Sequence, residues 1–220
     1  MLRKSTIDFL KSLKKNNNRD WFEANRGDYE AAKADFTTLV EHVLGELGKL
    51  DARFLELSAK DCMFRINRDV RFSKDKSPYK TNFGAGFTIG GKKSALGGFY
   101  VHVEPDHGFI GGGLWMPQPD QLKKIRQEID YSFHEFNKII EDKTFKKTFG
   151  TLDMENALKN PPKGYEAENP AIEFIKLKSF VTGSPIQNNE WVEKGILTKI
   201  STSFKQLNPF ISFINTAISS

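Results

Sequence analysis

The chain has 220 residues and a formal net charge of +5, a length that fits one large domain or two small ones. Its single cysteine, Cys62, excludes an internal disulfide framework and the cysteine-based zinc motifs, which need two or more such ligands. No apolar run approaches the roughly 20 residues needed to span a bilayer, and the moderate positive charge permits anionic partners without demanding them.

Phenylalanine supplies much of the expected core, with 19 Phe against 3 Trp and 5 Tyr. Arg3 and Lys4 are followed by Ile7, Phe9, Leu10 and Leu13, interrupted by Asp8, Lys11 and Ser12. That pattern reads as a helix over 5–15, begun by Ser5 and Asp8, and not as a signal peptide. One cysteine and no leader give a cytoplasmic expectation. After Asn16-Asn17-Asn18, Asn18 caps a short helix carrying Trp21 and Phe22. The strongest helical period runs over 29–50, where Ala32, Phe36, Leu39, Val40, Val43, Leu44 and Leu47 recur every three or four residues.

From Cys62 the period changes to two. Phe64, Ile66, Val70 and Phe72 share one face of an expected strand with Arg68, and Arg65, Asn67, Asp69 and Arg71 share the other. A loop over 73–80 follows. Further strands are expected over 82–89, 97–104 and 109–116. The third alternates Phe99, Val101 and Val103 with Tyr100, His102 and Glu104; the fourth carries Gly111-Gly112-Gly113. Short turns between them argue for an antiparallel meander. Pro119 and Asp120 open a helix with Leu122, Ile125 and Ile129. A second helix starts at Ser132, which has capping-box spacing to Glu135. Residues 159–170 read as loop, 171–177 as a short helix and 179–182 as a late strand. Asn189 caps a helix broken at Asn208-Pro209, and an amphipathic turn or two closes the chain. The expectation is a single α+β domain over 1–220: an antiparallel meander of about four or more strands flanked by N-terminal and C-terminal helices.

Several blocks resemble a known family. They are NRDWF at 18–22, FRINRDVRFSKDKSPYKTNFG at 64–84, GGFYVHVEPDHGFIGGGLW at 97–115 and PPKGYEAENPAIEFIKLKSF at 161–180. Together they resemble the bacterial family DUF2461, a domain of unknown function, over nearly the whole chain. The resemblance implies a cytoplasmic, bacterial α+β protein. It implies no activity, cofactor or catalytic residue.

The densest chemistry lies at 64–80, with six cations, Arg65, Arg68, Arg71, Lys74, Lys76 and Lys80, against two acids, Asp69 and Asp75. Two guanidiniums on one strand face clamp a phosphate or carboxylate well. Arg68, on the apolar face, needs a paired anion. The loop adds Ser73, Ser77 and Tyr79 as donors. The competing reading is an exposed face whose arginines pair with Asp69, Asp75, Glu104 and helix acids. His102 is the candidate acid–base group, since imidazole titrates near neutrality. The patch His102, Glu104, Asp106 and His107 has no recognisable metal-ligand spacing, so neither a metal nor a cofactor is expected. The glycine run is not a phosphate loop, because no Lys-Ser or Lys-Thr follows it.

These residues yield an expected function. An anionic, phosphate-containing small molecule would lie on the polar face of the meander. Arg65, Arg68 and Arg71 would hold it, Lys74, Lys76, Tyr79 and Lys80 would close over it, and His102 would supply acid–base chemistry if the protein is an enzyme. Two alternatives use the same strip differently: a nucleic-acid-associated protein, whose binding falls steeply with salt, and a structural or interaction domain with its arginines paired internally. No membrane partner is expected.

Overall fold

Helix α1 (Lys4–Lys15) buries Ile7, Phe9, Leu10 and Leu13 along one face. Its start is not capped by Ser5. Instead the Arg3 backbone N–H and the Thr6 hydroxyl donate to Asp35, at 2.7 and 2.5 Å, an acid brought from a later helix. The computed structural model describes residues 1–219, and their contacts gather into two units. The first collects residues 1–92, 100–110 and 185–202; the second holds the other described residues.

In the first unit, Asn18 caps α2 (Arg19–Ala24) as expected, its side chain accepting from the Trp21 N–H. Helix α3 (Arg26–Gly48) buries the seven apolar residues picked out by its period. A 3-10 turn at Ala52–Glu56 and the short α4 (Ala59–Cys62) lead to the hairpin discussed below. An aromatic cluster fills this unit: Phe9 lies against Trp21, Phe22 against Tyr29, and Phe36 stacks on Phe83 at 5.4 Å.

The second unit carries α5 (Pro119–Tyr131), α6 (Phe133–Ile140), α7 (Lys143–Phe149) and α8 (Ile172–Ile175). Phe136 packs with Phe174, Phe210 and Phe213. Two expectations need correction here. Ser132 does not cap α6; its hydroxyl donates to Glu128 one turn back. Nor does Pro209 break the last helix, since α9 (Ile196–Ser219) runs straight through it. Proline removes one helical hydrogen bond, but Leu207, Phe210, Ile211 and Ile214 around it are buried, and their packing outweighs the local preference.

The sheet is antiparallel, in the order β1 (Phe83–Phe87), β2 (Gly98–Val103), β3 (Phe109–Leu114) and β4 (Phe180–Pro185). The protein is therefore α+β with helices at both ends, as the sequence predicts. The glycine run in β3 has a packing reason: Gly113 has φ +124°, and a Cβ there would collide with the Phe180 carbonyl of β4. The late strand is β4. The expected first strand is absent as such. Residues 63–68 pair with 78–85 through isolated bridges, Met63 to Ala85 and Asn67 to Tyr79, and through the bonds Phe64 N–H to Gly84 O (2.9 Å), Lys80 N–H to Ile66 O (2.7 Å) and Arg68 N–H to Pro78 O (2.9 Å). Of the apolar face expected there, Ile66 is buried, but Phe64 is 42% exposed and Phe72 95% exposed. The segment is an irregular hairpin with its tip at 69–77.

Candidate functional site

Tyr79 fixes the hairpin to the first unit. Its ring is buried and stacks on Phe22 at 3.9 Å. The Asn17 amide grips its backbone twice, donating to the Tyr79 carbonyl (2.9 Å) and accepting from the Tyr79 N–H (3.1 Å). The next three residues therefore leave a fixed point, and each reaches the same polar face. Lys80 places its ammonium 5.6 Å from the Phe64 ring. The Thr81 hydroxyl donates to Glu104 Oε1 at 2.6 Å. The Asn82 amide lies 3.4 Å from His102 Nδ1.

On β2 the two-residue period aims Tyr100 and His102 the same way, and Glu104 continues the row just past the strand. The Tyr100 hydroxyl lies 3.0 Å from His102 Nδ1, and His102 Nε2 lies 3.1 Å from Glu104 Oε2. Phe109 stacks on the imidazole at 4.9 Å. Gly84 makes room for the phenol: a Cβ there would stand 2.5 Å from the Tyr100 oxygen. The His102 and Glu104 side chains remain 17% and 20% exposed, so the row is held by its neighbours yet reaches solvent.

The electrostatics fix the direction of the hydrogen bonds. Burial pushes the Glu104 carboxyl up, but the bonds from Thr81 and His102 together outweigh it and hold the group below its ordinary range. An ionised Glu104 accepts, so His102 Nε2 carries the proton, and Nδ1 is left to accept from the Tyr100 hydroxyl and the Asn82 amide. Burial keeps the imidazole below its ordinary pKa despite the opposing effect of Glu104. Burial, helped by the Glu104 charge, pushes the Tyr100 phenol up to about 12. Near neutral pH the row is thus carboxylate, neutral imidazole and phenol. Such a row can take a proton from the phenol onto Nδ1, with the resulting imidazolium stabilised by Glu104.

The basic segment divides sharply. Arg68 pairs with Asp75 and also donates to the Ser77 carbonyl at 3.1 Å. Asp75 is held down to about 2, first by the Ser77 hydroxyl and backbone N–H and then by Arg68. Arg71 binds Asp69 through two guanidinium nitrogens, at 2.9 and 2.7 Å. Lys76 donates to the Val70 carbonyl at 3.0 Å. These three cations hold the hairpin tip in shape, and Tyr79 anchors it; among the described residues none of the four contacts His102. Lys74 is exposed, with no hydrogen bond or ion pair among the described residues.

Arg65 and Lys80 differ from the rest. Neither side chain makes a hydrogen bond or an ion pair among the described residues, although the Arg65 charge is felt at Asp69. Burial lowers the Lys80 pKa, and the Arg65 charge lowers it further. The Lys80 charge is also felt at His102. Lys80 therefore stands beside the Tyr100–His102–Glu104 row without an ion-pair partner, and Arg65 is near enough for its charge to act on Lys80. Among the described residues no three His, Cys, Asp or Glu side chains converge as metal ligands, and no helix is long and apolar enough to cross a membrane.

Alternation along 99–104 points to His102 and Glu104. Thr81, Asn82 and Phe109 carry no such signal, because they join the row only through pairing across chain separations of 20 or more residues for the first two and through the β2–β3 turn for the third.

No curated protein and no solved structure matches the chain. The family described as conserved hypothetical protein (DUF2461) matches residues 5–213. That span takes in the Asn17 clamp, the hairpin, the His102 row and most of α9, so the match extends well beyond the central block: the chain belongs to the DUF2461 family.

Proposed function

We propose that the polar face around His102 is an anion-binding acid–base site. Arg65 and Lys80 hold a phosphate-like group. His102, backed by Glu104, moves a proton through the Tyr100 hydroxyl to or from whatever that group is attached to. The observation that carries this reading is the pairing pattern of the basic segment. Arg68 and Arg71 are ion-paired with their own acids, whereas neither Arg65 nor Lys80 has an ion-pair partner among the described residues, and Asp69, which feels the Arg65 charge, is already bound by Arg71. A surface built only for stability would place an acid there, since like charges brought together cost free energy. The lone cysteine is buried, with burial raising its thiol to about 11, which agrees with a site that uses no thiol chemistry.

Inorganic phosphate is the simplest probe. It is expected to raise the melting temperature and to shift the His102 imidazole signals in an NMR titration, because an anion beside Lys80 raises the imidazole pKa. The double variant Arg65→Ala/Lys80→Ala should lose both effects, and Arg71→Ala should keep them. Stabilisation that survives the double variant, or a His102 signal indifferent to phosphate, refutes the assignment.

A further inference from the structure

The cations of the first unit do not stop at His102. Residues 64–80 carry six cations against two carboxylates, so this one hairpin accounts for four of the molecule's net +5 charges. Outward from Lys80 the groups follow one another. Arg65 lies beside Lys80. Its charge is felt at Asp69, Asp69 binds Arg71, and the Arg71 guanidinium lies 5.8 Å from the Phe72 ring centroid. Phe72 is 95% exposed at the tip, and Phe64 is 42% exposed at the base, next to Lys80 and 6.1 Å from Tyr100. Aromatic faces therefore open to solvent at both ends of a cationic strip. Nothing in the folding of the first unit requires Phe72 to be aromatic.

We infer that the ligand is a single-stranded nucleic acid lying along the 64–80 hairpin, an inference that rests on the anion-site reading above. One backbone phosphate sits between Arg65 and Lys80, and a base stacks on Phe72. Every base has a π-face, so aromatic platforms interleaved with cations bind single strands with little regard to sequence. A small phosphorylated metabolite would leave Phe72 and Lys74 without a role, because both lie beyond the His102 row. An anionic membrane would be met by a cluster of apolar residues at the tip. Phe72 is instead flanked by Arg71 and Ser73, and its neighbour Val70 is half-buried. The charge also runs back from the tip toward the sheet, as a polyanion requires and a membrane surface does not.

The experiment measures fluorescence anisotropy of short labelled oligothymidylate and oligouridylate on the whole protein, with phosphate and anionic phosphatidylglycerol vesicles as parallel probes. Oligonucleotide is expected to bind more tightly than phosphate. Three cations without an ion-pair partner among the described residues, Arg65, Lys74 and Lys80, give an expected slope of log K against log salt of about −2, at roughly 0.7 per phosphate for single strands. Phe72→Ala should weaken the oligonucleotide about tenfold while leaving the phosphate effect at His102 unchanged. So exposed a side chain does not bear on folding. If phosphate perturbs His102 but oligonucleotides bind no better than phosphate, or bind equally well to Phe72→Ala, the nucleic-acid inference fails and the anion site stands. If vesicles bind and oligonucleotides do not, the inference fails in favour of a membrane surface. If neither phosphate nor oligonucleotide binds, both readings fail.

Discussion

His102 is the side chain through which the candidate site becomes measurable. Burial keeps its pKa in the folded protein below the unfolded value near 6.5. A base with a lowered folded pKa binds fewer protons folded than unfolded, so stability rises with pH across the window between the two values. Acidification below about 6.5 should therefore erode stability, and a second loss should follow below about 4.5, as Glu104, whose folded pKa lies lower, becomes protonated. His102→Asn should remove the first loss and keep the second in melting temperatures measured against pH. A curve for the variant that overlays the parent across the upper window would show that His102 is not the group responsible. Gly84 offers a steric test of the same row. Gly84→Ala places a methyl group 2.5 Å from the Tyr100 oxygen at a buried strand position, so the phenol must shift and strain its bond to His102. Urea unfolding should show a loss of about 1–3 kcal/mol, the usual cost of overpacking. Adding Tyr100→Phe should recover part of it, because the clashing oxygen is gone; no recovery would mean that the strain lies in the backbone.

At the scale of elements, the hairpin matters more than any strand of the sheet. It is irregular because only its base pairs with neighbours, and its tip is shaped by its own ion pairs. The Asn17 amide is the joint. Asn17→Ala leaves a part-buried N–H and a part-buried carbonyl of Tyr79 without their partner, which should cost about 1–3 kcal/mol of stability. Because Lys80, Thr81 and Asn82 follow directly, the same variant should also blunt the phosphate effect at His102. Unchanged stability and an unchanged phosphate effect together would show that the Phe22 stack alone holds the hairpin. The helices, in contrast, were legible from spacing: α3 buries the residues its period picks out, because a 3.6-residue repeat leaves little freedom about which face turns inward. Residues 64–72 misled for a physical reason. Alternation of apolar and charged residues signals a strand only where a sheet face exists to receive it. Here Phe64 and Phe72 project into solvent, and Arg68 finds Asp75 seven residues on, a pairing that the strand periodicity cannot show.

For the whole molecule, the periodicity of its elements gave the α+β class and the resemblance carried by four sequence blocks gave the family, while the candidate site was half visible. The Tyr100–His102–Glu104 row follows from strand alternation. Which cations stay unpaired does not, since that depends on distances between side chains. The strand order adds a consequence in time. β1, β2, β3 and the hairpin all fall within residues 63–114, so the His102 row is assembled within one stretch of the chain. β4 pairs with β3 only after the ends of a connection spanning 115–179 come together. Local contacts form early and distant ones bear a larger closure entropy. The acid–base row can therefore emerge from the ribosome and take shape while the edge of the sheet that β4 will cover is still bare. Protection of that edge from other chains falls to the last third of the sequence.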